Sequence, residues 1–184
     1  MEIAVLACGC FWGPEKKFGS LNGVYKTEVG YCGGKTEKTT YQEVCSGNTN
    51  HAEVVKINFD PKIISYEEIL NFFFKIHDPT TLNSQGPDFG TQYRSEIFYL
   101  NTNQKEIAEK VIKLKNNDFS GKIVTKLSLL KNYCVAEEYH HYYLFPRRTL
   151  FFPKLLVLEA YVEGLYLFQS FHLNQKKQNL GCEH

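Results

Sequence analysis

The chain has 184 residues, with 43% hydrophobic and 15% aromatic side chains; the length suits one domain of about 100–200 residues. That composition excludes a disordered chain. Lys plus Arg exceeds Asp plus Glu by 21 to 20, so charge offers no argument for nucleic acid or an anionic membrane as a partner.

Residues Glu2 to Ala7 read as a short buried strand ended by Gly9, followed by a short helix with Pro14 and Glu15 in its first turn, where both are favoured. Thr27 to Tyr31 and Ala52 to Asn58 read as strands, the second supplied with Val54, Val55 and Ile57. Asp60-Pro61 marks a turn. Ser65, with Glu68 three residues on, predicts a capping box opening a helix through Ile76, ended by Asp78-Pro79. Its buried face is Ile69, Leu70, Phe73 and Phe74. Residues 78 to 92 form a loop long enough to suggest function. Ser95 to Leu100 reads as a strand, and Thr102 to Asn116 as a helix with Ile107, Val111 and Leu114 on one stripe. Ile123 to Leu130 reads as a last strand. The order β-α-β-β-α-β, plus one helix and strand, points to an α+β two-layer sandwich with a ferredoxin-like, split-βαβ core.

From residue 145 the chain changes character. Phe145 to His172 is rich in Leu, Phe and Tyr, interrupted by Lys154, Glu159 and Glu163, charges that argue against a bilayer span. It reads as an amphipathic stretch packed on the domain. The organisation expected is a catalytic domain over 1–144 and a divergent C-terminal tail over 145–184. The N-terminus lacks a basic region and a long apolar run, so no secretory signal is expected. The six cysteines at 8, 10, 32, 45, 134 and 182 are then expected to be mostly reduced, in a cytoplasmic protein. No C-x-x-C occurs, which weakens a zinc ribbon or a thioredoxin-like dithiol. His140, His141, Cys182 and His184 match no metal-site spacing, so no metal is expected.

Cys10 has the most suggestive setting. It follows Gly9 at a strand end and precedes a helix, whose free amides and dipole are expected to stabilise a thiolate and lower the thiol pKa. Phe11 and Trp12, the one tryptophan of the chain, could wall an apolar pocket beside the sulfur.

Gly9-Cys10-Phe11-Trp12-Gly13 resembles the active-site signature of the peptide methionine-S-sulfoxide reductases of the A type. The resemblance continues through Gly30-Tyr31-Cys32-Gly33-Gly34, Tyr41-Gln42-Glu43-Val44-Cys45-Ser46-Gly47 and His51-Ala52-Glu53. It goes on through His77-Asp78-Pro79, Gly90-Thr91-Gln92-Tyr93-Arg94-Ser95 and Ala136-Glu137-Glu138-Tyr139-His140, in the family's order over residues 3 to 144.

The resemblance implies an enzyme that reduces methionine-S-sulfoxide, free or in proteins, and so repairs oxidative damage. It implies no cofactor and thioredoxin as the reductant; a monomer is the default. Cys10 would attack the sulfoxide sulfur and emerge as a sulfenic acid. Glu53 would protonate the sulfoxide oxygen, and Tyr41 and Tyr93 would hold that oxygen. Phe11 and Trp12 would receive the substrate's ε-methyl group, with Asp88 and His51 matching further substrate-binding positions. The chemistry demands such a set. A sulfoxide oxygen leaves only when protonated, and a carboxyl is a proton donor near neutral pH only when desolvation raises its pKa. Glu53, between Ala52 and Val54-Val55, is where burial is expected.

The family usually closes its cycle with a second cysteine in a C-terminal Gly-Tyr-Cys segment. Here the chain after Leu144 departs from that pattern as though the reading frame had changed, and the tail cysteine is Cys182, in Gly181-Cys182-Glu183. Cys182 is the candidate resolving cysteine; Cys45 and Cys134 read as packing. Two other readings stay open. One is a thiol hydrolase or acyltransferase using Cys10, His51 and Glu53. The other is a sulfoxide-binding homologue impaired in turnover by its altered tail.

Overall fold

The computed structural model describes residues 1–144. The tail expected over 145–184, its amphipathic stretch and Cys182 lie outside the described residues. In chain order the elements are β1 (Glu2–Cys8), α1 (Trp12–Gly19), β2 (Val24–Cys32), α2 (Tyr41–Cys45), β3 (Ala52–Phe59) and α3 (Tyr66–Ile76). They continue with β4 (Ser84–Gln85), β5 (Asp88–Phe89), β6 (Ser95–Tyr99), α4 (Thr102–Asp118), β7 (Lys126–Leu129) and β8 (Cys134–Val135). Two 3-10 turns, Thr91–Tyr93 and Glu138–His140, complete the set.

The main sheet runs β7-β6-β1-β3-β2-β8. Its four inner strands are antiparallel neighbours, β6 to β1, β1 to β3 and β3 to β2. That is the split-βαβ order expected from the sequence. The chain then extends it on both sides, with β7 parallel to β6 and β8 antiparallel to β2. β1 explains its own composition: Ala4, Leu6 and Cys8 enter the larger core, and Val5 and Ala7 a second cluster with Val54 and Phe98. A strand covered on both faces needs a continuous apolar run, not alternation.

α3 begins as predicted. The Ser65 side chain accepts from the Glu68 amide, and the Glu68 carboxylate accepts from the Ser65 amide. Ile69, Leu70, Phe73 and Phe74 are buried on its inner face. On α4 the expected stripe holds at Ile107 and Val111 and fails at its third residue. Gln104, Ala108 and Val111 are its buried residues, while Leu114 is exposed. Gln104 is held inside because its amide donates to the Ile3 carbonyl and accepts from the Leu100 N–H.

Three local features depart from the sequence reading. α2, unforeseen, is five residues long and is started by a capping box between Thr40 and Glu43. β7 starts later than expected because the Val124 amide is bonded to the Pro79 carbonyl, outside the sheet. The long loop over 78 to 92 contains the β4–β5 hairpin and part of a 3-10 turn. Among the described residues no helix is long and apolar enough to cross a membrane.

Candidate active site

The site is assembled where β1 ends. Gly9 has φ +87°, in the left-handed region, and a Cβ there would stand 2.7 Å from the Gln85 side chain. Only glycine takes that turn and that approach at low cost. The turn delivers Cys10, half-buried, beside the β4–β5 hairpin. α1 starts at Trp12 with Phe11 as its N-cap, so Cys10 stands one residue before the cap.

The thiol is not the low-pKa group expected from that position. Burial raises its pKa well above the ordinary value, and the Glu53 carboxylate raises it further. The Trp12 amide pulls the other way and is outweighed. Desolvation, set by tertiary packing, defeats the helix terminus. Cys10 is therefore a thiol at neutral pH.

Glu53 lies inside β3 and is 2% exposed. Its Oε2 accepts from the amide of Phe11, the residue after Cys10, at 3.1 Å. That hydrogen bond favours the carboxylate, but burial is the larger effect, and with the nearby Asp88 charge it pushes the pKa up to about 8. At pH 7 Glu53 carries its proton. A buried acid thus sits within electrostatic reach of a buried thiol.

Tyr93, in the 3-10 turn before β6, is 7% exposed and feels the charges of Glu53, Cys45, Cys10 and Asp88. Burial and those charges hold its hydroxyl protonated. Tyr41 opens α2, and its ring centroid lies 4.8 Å from that of His140. Asp88, half-buried on β5, acts on both Cys10 and Glu53, so its hairpin borders the site. Phe11 is buried, and Trp12 is half-buried with its indole Nε1 unpartnered among the described residues.

His51 is buried beside the glycine turn after β2. Its ring packs where Gly34 leaves no side chain, and Nε2 bonds the Thr36 carbonyl at 3.0 Å. Its further described partners are the Asn132 backbone and the charges of Arg94 and Glu43. Cys45 is half-buried and acts on Tyr93 and Tyr139, so it lies nearer the site than a packing residue was expected to.

Sequence reasoning missed the roof. His140 is 1% exposed, its ring 5.2 Å from Phe11 and 5.7 Å from Trp12 between centroids. Burial lowers its pKa to about 4, so the ring is neutral, and neither nitrogen has a hydrogen-bond partner among the described residues. Tyr143 stacks on Trp12 with centroids 4.1 Å apart and planes 14° apart. The motif Ala136 to His140 was the available signal, but nothing in it says that it folds over Trp12.

A thiol, a neutral buried acid, a buried phenol and an aromatic wall suit the reduction of a small polar oxide with an apolar arm. Among the described residues no group of three or more His, Cys, Asp or Glu is disposed to hold a metal ion.

Comparison with known proteins agrees. Residues 2–151 match the family described as peptide methionine sulfoxide reductase. The peptide methionine sulfoxide reductase MsrA of Pelagibacter ubique (strain HTCC1062) is 76% identical over 144 residues, covering 78% of this chain and 98% of that protein. Among solved structures, Mxr1 from Saccharomyces cerevisiae in reduced form aligns with TM-score 0.75 at 42% identity, over 78% of this chain and 83% of the other. Mxr1 in complex with Trx2 aligns with TM-score 0.56 at 27% identity, over 77% and 84%. With a match over most of its length and relatives this similar, the chain belongs to the peptide methionine sulfoxide reductase family.

Proposed function

We propose that the protein reduces methionine-S-sulfoxide, free or in proteins, to methionine, with Cys10 as nucleophile and Glu53 as acid. The observation that carries this reading is the raised Glu53 pKa of about 8 beside the half-buried Cys10 thiol. Below pH 8 both groups hold a proton. Glu53 gives its proton to the sulfoxide oxygen as Cys10 Sγ attacks, and the thiol proton passes to the carboxylate so formed. Attack at the substrate sulfur forms an S–S bond to Cys10; that bond and the substrate's S–O bond then break as the hydroxyl passes to the Cys10 sulfur. The substrate sulfur is reduced by two electrons, and the Cys10 sulfur is oxidised by two, to the sulfenic acid. Methionine leaves, and no proton is exchanged with solvent.

Tyr41 and Tyr93 hold the sulfoxide oxygen through their hydroxyls, Tyr93 being kept protonated by its surroundings. Phe11 and Trp12 receive the methyl group, and Asp88 borders the bound substrate. The placement of His51 supports a role in shaping the loop that leads to Tyr41 more than contact with substrate. A hydrolase using Cys10, His51 and Glu53 gains no support from that placement, since the Glu53 oxygen bonds the Phe11 amide. For regeneration the proposed reductant is thioredoxin, in line with the Trx2 complex of the similar yeast protein. Cys182 is assigned as the resolving cysteine. Residues 1–144 are taken as the catalytic domain of a cytoplasmic monomer.

The test uses the full chain, a peptide carrying methionine-S-sulfoxide, and dithiothreitol. Wild type releases methionine and Cys10→Ser releases none. Equal release from the serine variant would overturn the assignment.

A further inference from the structure

Glu137 is a half-buried carboxylate that the chemistry above leaves without a task. It is the N-cap residue of the Glu138–His140 turn, and Ala136 before it is tied to β2 by an N–H bond to the Val29 carbonyl. Its two oxygens go to different elements. Oε1 accepts from the Tyr41 amide at 2.8 Å, and Oε2 accepts from the Tyr31 hydroxyl at 2.9 Å. The Tyr41 amide is among the first N–H groups of α2, which lack partners within the helix. Tyr31 is fully buried on β2, paired across the sheet with Glu53. One carboxylate therefore joins the start of α2 to the strand that flanks the acid. Hydrogen bonds to an ionised acceptor are the stronger kind. Within α2 itself, Val44 is the buried residue, so the bond to the Tyr41 amide ties the exposed start of the helix to the sheet.

We propose that Glu137 is a positioning residue: by bridging the Tyr41 amide and the Tyr31 hydroxyl, it sets where the Tyr41 phenol stands in the site, without itself touching substrate. This rests on the reading of Tyr41 as a donor to the sulfoxide oxygen. A donor that is useful only in the transition state must be placed to a fraction of an ångström. Its loss therefore lowers kcat and leaves KM largely unchanged.

The experiment is single-turnover and steady-state kinetics of the full chain with a methionine-S-sulfoxide peptide, for Glu137→Ala, Glu137→Gln, Tyr41→Phe and the double variant Tyr41→Phe/Glu137→Ala. Glu137→Ala is expected to lose about 10- to 100-fold in kcat, the scale set by a small misplacement. Glu137→Gln restores most of the rate, because its carbonyl accepts from the Tyr41 amide and its NH2 donates to the Tyr31 oxygen. In the Tyr41→Phe background, most of the loss caused by Glu137→Ala disappears. Should the alanine variant fail to fold, Glu137→Asp, with its shorter reach, shows the same loss at a near wild-type unfolding midpoint. Slow Tyr41→Phe with a fully additive Glu137→Ala overturns the proposal and leaves the reading of Tyr41 standing. An unaffected Tyr41→Phe overturns both.

Discussion

At the scale of single residues, the decisive quantity is the environment of two groups distant in sequence. Cys10 and Glu53 were both legible as candidates, because a thiol after Gly9 and a glutamate inside an apolar strand are visible in the chain. The state of the thiol was not. A helix start next to Cys10 is local information, whereas its burial and the Glu53 charge arise only when β3 packs beside β1. Glu53→Gln isolates the second of these. Below pH 8 Glu53 is neutral and the substitution changes little. Above pH 8 wild type carries a carboxylate that disfavours the thiolate, and the variant does not. Since the thiolate is the species alkylated, iodoacetamide should modify Cys10 faster in Glu53→Gln than in wild type at pH 9, by about tenfold for each unit of thiol pKa removed. Superimposable alkylation profiles would show that the two groups do not interact.

At the scale of elements, hydrophobic patterning and caps carried most of the fold. α3 was readable from Ser65, Glu68 and its apolar face, while α2 was passed over although Thr40 and Glu43 repeat the same capping pattern. Five residues leave no periodicity to notice. β8, two residues long, forms because β2 offers an edge to pair with, which no local pattern announces. On α4 the predicted stripe holds at Ile107 and Val111 but not at Leu114, and polar Gln104 joins the inner face, satisfied by backbone groups of β1 and of Leu100 just after β6. α3 holds β1 in place from the helix layer through side chains such as Phe73, which is fully buried. Phe73→Ala should lower the unfolding free energy by about 3–5 kcal/mol, read as a fall in the denaturant midpoint. A change below about 1 kcal/mol would mean that the cavity collapses and that α3 is not a rigid support.

At the scale of the whole molecule, the proposed catalysis is two processes, oxidation of Cys10 to the sulfenic acid and its reduction back to the thiol. We assign the first to residues between Cys10 and Tyr143 and the second to Cys182. The two separate in Cys182→Ser. One methionine per chain should still be released without a reductant, while steady-state turnover with thioredoxin falls. Unchanged turnover would show that Cys182 is not the resolving cysteine. In the proposed mechanism the first process turns on a proton held by the buried Glu53. Rapid-quench single turnover of the full chain against pH tests this most directly, with methionine release as the signal. Because Glu53 is raised to about 8, its acid form is present below that pH and is lost above it. The rate should be level from about pH 6 to 7 and fall about tenfold per unit above 8. A rate that stays level or rises through pH 10 would contradict the account.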